Sequence, residues 1–550
     1  NVQGMIDPPL AYVSRIDHAD KIPMIASRWK AKGHTLYIWL NPKARWSNGK
    51  PVTIQDVKFS LELSEYYDQW WLGYAKGIKI INNHEIAVTN DYPMFAFEPS
   101  VLNMTPIYPA SEYARFMPQN IYQIYQQSNS TNTKISTKAS NELGAMYKNM
   151  EKVDPNTYLS CGPYILQSAS TSEALFKVNP DYDLAPKSNF PAVDVLNSTN
   201  PNLEYAWANE SRFTLGGIPA YNPKLVKQWL SSSSYHKVYY TPSWYDVGIN
   251  FNLAKYPYNI LKVRQALAYL IDRDAVAHVA DPLEASPAKY PVGYFNLFQL
   301  KQFSAKQMST LHQYRYNPKK GVAMLKSVGF KQTSSGWLMP NGKPFAPSIT
   351  TASGNTSWQF AAEVMAADLK KVGIHAKVYF PAATLFNEDF LKAGSSGYGI
   401  SIMWEAFSLA PWNALGDALS YSDGISFNFA DHSYTTTPGD VPLPPMKLPD
   451  GKTINVPQLA ADYIFTGTPA QRRSTIWKIT QAANLNLPQL QLFTLDRSVV
   501  YVDDEYYTGF PDGGNDPTSP KWNSWIDENF YGPNFLWWFQ AGMVHPTKAN

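Results

Sequence analysis

A chain of 550 residues exceeds what one hydrophobic core organises, so two or three domains are expected. Its formal charge of +3, with no run of Lys or Arg, gives no reason to expect nucleic acid as a partner. The longest apolar stretch, around 397–416, is interrupted by Glu405 and Pro411, which excludes a membrane-spanning helix there.

Charged residues make up only 17% of the chain, while 36 Tyr and 17 Trp are present. Aromatics at this level suit a cleft that binds by stacking and area burial, and equally a general compositional bias. Cys161 is the single cysteine, so no intrachain disulfide and no CxxC metal knuckle can form.

The elements read as follows in chain order. Residues 35–40 alternate as a strand, and Asn48-Gly49 is a turn signal. Thr53 caps a helix from Ile54 to about Ser64, with Asp56 as capping-box partner and Val57 and Leu61 on the inner face. A hairpin runs from Ile78 to Thr89, turning at Asn82-Asn83. Residues 120–150, rich in Gln, Ser, Asn and Thr, read as an exposed helix and loop. After Asp154-Pro155, the run CGPYIL (Cys161 to Leu166) restarts a strand, and Cys161 reads as a small buried residue.

From Ile260 to Pro282, Val263, Leu267, Leu270 and Ile271 form one apolar stripe on a polar surface helix. Asn317 caps and Pro318 starts a helix ending at Gly329. Residues 345–352 read as a strand. Asn355 or Thr356 caps a helix to Val372, Gly373 stops it, and IHAKVYF alternates as the next strand. That strand–helix–strand order implies an α/β fold with a partly parallel sheet. Pro438 to Pro457 reads as a surface loop, Thr468-Pro469 opens another helix, and QLQLFTLDRSVVYV is a final strand.

Enzyme signatures are missing from the sequence. No two of the nine histidines lie at HExxH spacing, and GxSxG, Walker A and GxGxxG runs do not occur. The acidic run Asp503 to Asp516 does not match EF-hand spacing and reads as a solvated loop. No cofactor and no metal are therefore expected.

Seven blocks, in order between Met5 and Phe380, carry a resemblance. They include MIDPPLAYV, RWSNGKPVTIQDVKFSLE, CGPYIL, VGINFN with VRQALAYLIDRDAV, YNPKKGVAMLKSVGF, WLMPNGKPFAPSITTASG and KKVGIHAKVYF. Together they closely resemble the extracytoplasmic solute-binding proteins of ABC importers, family 5, the oligopeptide- and dipeptide-binding group.

The resemblance implies a two-lobed, periplasmic-binding-protein-like α/β fold with a hinge, of the large three-segment type with an inserted subdomain. Lobe I would comprise 1–18, 160–250 and 493–550, with 19–159 as its inserted subdomain, and lobe II would be 251–492. It implies an extracellular, cell-surface receptor, monomeric and not an enzyme, that captures an oligopeptide and delivers it to a membrane permease. An oligosaccharide is the alternative ligand, and a secreted glycosidase or peptidase a distant third reading. The chain opens NVQGMIDPPL without a signal-peptide pattern, so export is inferred from the resemblance.

In the family, the block "W.aDy.dP" often supplies an aspartate for a peptide's amino group. Here that block is WEAFSLAP (404–411), and Phe407 stands at the aspartate position. Trp404, Phe407 and Trp412 would line the cleft, with Glu405 and Asn413 as polar anchors; the other reading is core packing with a solvated Glu. Trp244 and Tyr245 fall at the implied crossover, to stack on ligand or pack the hinge. Asn250 and Asn252 are expected to bond backbone at a strand end. Arg264, Asp272 and Arg273 are expected to serve structure, by helix-end charge and ion pairing. Sequons at Asn103, Asn129, Asn197, Asn209 and Asn355 are compatible with glycosylation.

Overall fold

A computed structural model describes residues 3–13, 21–63, 75–90, 94–103, 106–128, 132–153, 157–184, 190–198, 200–217, 223–295, 297–390, 392, 396–404, 415, 419, 425–428, 433–436, 443–463, 465–509 and 544–547. The N-terminal third holds a four-stranded antiparallel sheet of β1 (Ala26–Lys32), β2 (Thr35–Leu40), β3 (Ala75–Asn82) and β4 (Glu85–Asn90), ordered β1-β2-β4-β3. Burial alternates along β2, with Leu36, Ile38 and Leu40 inward, as the period of two requires. Helix α1 (Ile54–Leu63) starts at the expected cap: the Thr53 amide donates to Asp56 Oδ2 at 2.8 Å, and the Asp56 amide donates back to Thr53 Oγ1 at 3.3 Å.

Helix α2 (Met94–Asn103) follows, and then α3 (Ile121–Ser128) and α4 (Thr133–Met150) correct the reading of 120–150 as exposed. Ile121, Ile124 and Tyr125 of α3, and Ala139, Leu143 and Met146 of α4, are buried in a hydrophobic core whose residues run from Leu10 to Ala483. The apolar stripe is narrow and is masked in the composition by the amides and hydroxyls on the outer face. Cys161 is fully buried, and burial pushes its thiol pKa well up. A small antiparallel sheet of β5 (Tyr164–Ala169), β6 (Glu173–Val178) and β7 (Ala192–Leu196) completes this part.

The remaining elements surround one larger sheet. In chain order they include β8 (Leu215–Gly217), β9 (His236–Phe251), α5 (Leu261–Leu270), α6 (Arg273–Ala280), β10 (Ala285–Pro287), α7 (Pro318–Ser327), β11 (Ser348–Thr350), α8 (Thr356–Lys371), β12 (Lys377–Tyr379), β13 (Ile400–Trp404), α9 (Pro469–Asn486) and β14 (Gln489–Asp503). The sheet order is β8-β14-β9-β13-β11-β12, with β10 paired to β14. Strand β11 is parallel to both β12 and β13, so the expected strand–helix–strand unit forms with α8 as its crossover.

Two strands run the length of this sheet. Strand β9 has 16 residues and β14 has 15, roughly 50 Å each when extended. The first part of β9, His236–Pro242, pairs with 497–503; the second, from Tyr245 on, pairs with 489–495 and with β13. The register slips between Pro242 and Tyr245, a bulge with one extra residue on β9, and again between Val247 and Gly248. The implied lobe limits, at 250/251 and 492/493, fall within these strands.

The stretch 260–282 is not one surface helix. It breaks at Ile271, Asp272 caps α6 by accepting from the Ala275 amide, and Val263, Arg264, Ala266, Leu267, Ala268 and Leu270 are all buried. The alanines between the large apolar residues let α5 approach its neighbours on most of its circumference. Arg264 donates to the carbonyls of Tyr258, Asn486 and Leu487, and Arg273 to those of Ala288, Gln313 and Tyr314. Both are structural, but through carbonyl oxygens and not through ion pairs with carboxylates. The segment read as a loop from Pro438 to Pro457 contains a short hairpin at Met446–Lys447 and Thr453–Ile454, with Met446 buried.

Candidate functional site

The carboxyl ends of the parallel strands β11, β12 and β13 emerge on one side of the sheet. In such sheets the crevice beyond the carboxyl ends is where ligands lie. At β11 the chain continues as Thr351–Ser353, fastened to the end of β12 by Thr351 N to Tyr379 O at 3.1 Å and to its continuation by Ser353 N to Pro381 O at 2.7 Å. Thr351 Oγ1 also donates to Ile402 O at 3.2 Å. Strand β13 ends at Trp404, whose backbone pairs with Val247 of β9.

The level of Trp404 is therefore also the level at which β9 leaves its bulge. Tyr245 is half-buried there and pairs with Leu495. Backbone register thus brings together Tyr245 and Trp404, two of the sequence-predicted site residues. Trp244 lies within the bulge of β9. Glu405, Phe407, Trp412 and Asn413 lie outside the described residues.

Sequence reasoning missed the polar face of this sheet. Val247, Ile249 and Phe251 point into the core formed with α5 and α8, so Asp246, Gly248 and Asn250 point the other way. Asp246 is 1% exposed and accepts from Gln491 Nε2 at 2.7 Å and from Thr494 Oγ1, both on β14. Burial pushes the Asp246 carboxyl well above the usual carboxylate range, and those two hydrogen bonds pull it part of the way back. Gln491 also accepts from Val292 N and donates to Phe295 O, closing the segment 292–295 over this face.

Asn252 bonds backbone as expected, donating to Tyr398 O at 3.1 Å and accepting from Ala254 N at 3.1 Å. Asn250 does not: neither its Nδ2 nor its Oδ1 has a hydrogen-bond partner among the described residues, and it is 6% exposed. Its carboxamide lies on the sheet face and not at a loop, so no strand-end carbonyl is within its reach.

Among the sequon residues, Asn197 and Asn209 are exposed, with their side-chain nitrogens donating to Thr171 O and Tyr205 O. Asn355 caps α8 through its side-chain oxygen, and Asn103 accepts from Val13 N. Asn129 lies outside the described residues. No group of three or more His, Cys, Asp or Glu that could hold a metal occurs among the described residues. No helix among them is long and apolar enough to cross a membrane.

Comparison with known proteins agrees with this architecture. An oligopeptide ABC transporter periplasmic oligopeptide-binding protein of Thermotoga maritima, solved with mannohexaose, superposes with a TM-score of 0.69 at 17% identity. The match covers 99% of this chain and 93% of that one. The oligopeptide-binding protein AppA of Bacillus subtilis, in complex with a nonapeptide, gives 0.67 at 15% identity over 100% and 94%. The dipeptide-binding protein of Escherichia coli is 26% identical over 258 residues, 46% of this chain and 43% of that protein. The matched region thus spans under half the length of that curated relative. These likenesses identify the fold as two-lobed and periplasmic-binding-protein-like. The sequence pattern of bacterial extracellular solute-binding proteins, family 5 (Middle), matches residues 21–423, and the chain belongs to that family.

Proposed function

We propose that this protein is an extracellular receptor that captures an oligopeptide between its lobes and delivers it, unaltered, to an ABC import permease. The observation that carries the reading is the pair of continuous strands β9 and β14, whose register slips at a bulge, with the carboxyl ends of β11 and β13 opening beside it. A bulge shared by two crossing strands is a hinge that lets two packed bodies move while the sheet stays paired. Ligand then acts by binding the closed form better than the open one. No bond of the ligand needs to break for this, which is why the protein is read as a receptor and not an enzyme. Relatives named for dipeptides, oligopeptides and a bound nonapeptide support the peptide.

A second reading, an oligosaccharide ligand, is favoured by two observations. The family's aspartate position is Phe407 here, which removes the usual partner for a peptide's amino group. One structure of the same fold holds mannohexaose.

The deciding experiment is to release whatever co-purifies with the protein by denaturation and identify it by mass spectrometry. Thermal-shift measurements with nonapeptides and with mannohexaose follow, and one class alone is expected to raise Tm. Trp404→Ala is expected to abolish that rise and leave the apo Tm unchanged. Unchanged affinity in this variant would remove Trp404 from the site, and cleaved products after incubation would overturn the receptor reading.

A further inference from the structure

The polar face of the large sheet contains a row that crosses five strands. Register pairs Tyr379 of β12 with Thr350 of β11, Thr350 with Ser401 of β13, Ser401 with Asn250 of β9, and Asn250 with Gln489 of β14. Residues in register share a face, and their neighbours Ile349, Ile400, Ile249 and Leu490 all point into the opposite core. From Thr350 to Gln489 the row spans roughly 14 Å at the ordinary strand spacing.

Its composition is unusual for a buried surface. Thr350, Ser401, Asn250 and Gln489 are 1%, 5%, 6% and 1% exposed, yet every one is a neutral hydrogen-bonding residue. The row runs out at its β12 end to Tyr379, which is 48% exposed. At the other end Gly293, with φ of +74°, lies so close that an added Cβ would stand 3.0 Å from Gln489 Oε1. The row is thus shut at Gln489 and reaches solvent at Tyr379. Asn250 sits inside it, with both polar atoms of its carboxamide lacking a partner among the described residues. Buried polar groups are almost always satisfied, and one that offers a donor and an acceptor side by side is shaped for a group that offers the reverse.

We propose that Asn250 is a ligand-binding residue at the inner end of this row, taking an uncharged group that presents a donor and an acceptor together. A backbone amide of a peptide and a pair of sugar hydroxyls both have that chemistry. No Lys, Arg, His, Asp or Glu belongs to the row. Asp246, on the same face four positions along β9, is already engaged by Gln491 and Thr494. The row therefore suits an uncharged group of a ligand and not a charged terminus or side chain. Because Asn250 lies on a strand that continues through the bulge, a ligand bonded to it is tied directly to the hinge. This inference rests on the capture reading above and names the residue that reads the ligand.

The test uses the full chain and two probes, mannohexaose and an uncharged nonapeptide, with Asn250→Leu as the main variant. Leu keeps four side-chain heavy atoms branched at Cγ and removes both unpaired atoms. The variant's apo Tm is expected to equal or exceed that of the wild type, and its affinity for the probe that binds the wild type to fall at least tenfold. Asn250→Ala is expected to lose affinity similarly. A clear fall in apo Tm for Asn250→Leu, or unchanged probe affinity in either variant, overturns the proposal and makes the carboxamide part of the fold alone. If the wild type binds neither probe, the capture reading suffers, and the apo Tm of Asn250→Leu still decides whether the carboxamide is idle in the unliganded chain.

Discussion

Asp246 of β9 and Thr494 of β14 face each other across the two crossing strands, and the Thr494 hydroxyl donates into a carboxyl that is 1% exposed. No cation joins them among the described residues, and burial raises the Asp246 pKa well above the ordinary value of 3.8. The folded chain therefore holds a proton here that the unfolded chain releases, over a window that opens near pH 4 and closes at the raised pKa. Where the native state binds more protons, stability falls as pH rises. Asp246→Asn keeps an acceptor for Gln491 and a donor for Thr494 without the ionisation. The variant is expected to be the more stable at pH 8, with the difference shrinking toward pH 4. Urea midpoints across that range check it, and a variant weaker than the wild type at pH 8 refutes it.

Arg264 holds three carbonyls, that of Tyr258 and those of Asn486 and Leu487 at the end of α9, where Leu487 takes a left-handed conformation with φ of 44°. The latter two are the last carbonyls of a helix, which lack partners within it. Burial pulls the guanidinium pKa down to about 10, so it remains charged at neutral pH. Arg264→Ala strips charged donors from three carbonyls and is expected to cost roughly 3 kcal/mol. Arg264→Lys keeps the charge but not the planar fork, so it should recover only part of that loss. Chemical denaturation at pH 7 measures both, and equal stability of Lys and Arg would show that charge alone matters.

Much of the framework was legible because local chemistry agreed with the final structure. Thr53, Asn317, Asn355 and Thr468 each cap the helix that their side chains announce. Gly329 and Gly373 both take positive φ where a helix must stop. The helix at 260–282 was misjudged because its small residues, Ala266, Ala268 and Ala277, score as neutral in a pattern yet pack fully. The site was legible only through backbone placement, at Tyr245 and Trp404. Its polar face did leave a signal, since Asp246 and Asn250, and Gln489 and Gln491, sit at alternate positions in otherwise apolar strands. That alternation resembles an ordinary solvated face. Only the fold reveals that this face is buried, because the covering segment 292–295 is distant in sequence from both strands.

Gly162 stands where the N-terminal segment crosses the start of β5. Ile6 O accepts from Cys161 N at 3.1 Å, Gly162 N at 2.8 Å and Ser160 Oγ at 2.8 Å. A Cβ at 162 would lie 2.5 Å from Met5 O and 2.7 Å from the carbonyl carbon of Ile6. Both obstacles are backbone, and they cannot rotate aside as a side chain end does. Gly162→Ala is expected to cost about 2 kcal/mol and to speed hydrogen exchange in residues 5–13. An unchanged Tm would mean that the segment shifts freely.

Phe95 of α2 and Arg472 of α9 meet in a cation–ring contact. The guanidinium carbon lies 4.0 Å over the ring, and Arg472 Nη1 also donates to Thr466 O at 2.9 Å, which fixes its pose. By the implied limits, Phe95 belongs to the inserted subdomain and Arg472 to lobe II, so on the capture reading proposed above the contact would join bodies that part on opening. A cation over an aromatic face contributes about 1 kcal/mol, roughly a fivefold bias between closed and open forms. Arg472→Ala and Phe95→Ala should each enlarge the radius of gyration of the ligand-free protein in small-angle scattering. The double variant should match the single ones, because either substitution removes the same contact. Additive effects, or an unaltered radius, would show that closure is held elsewhere along the cleft.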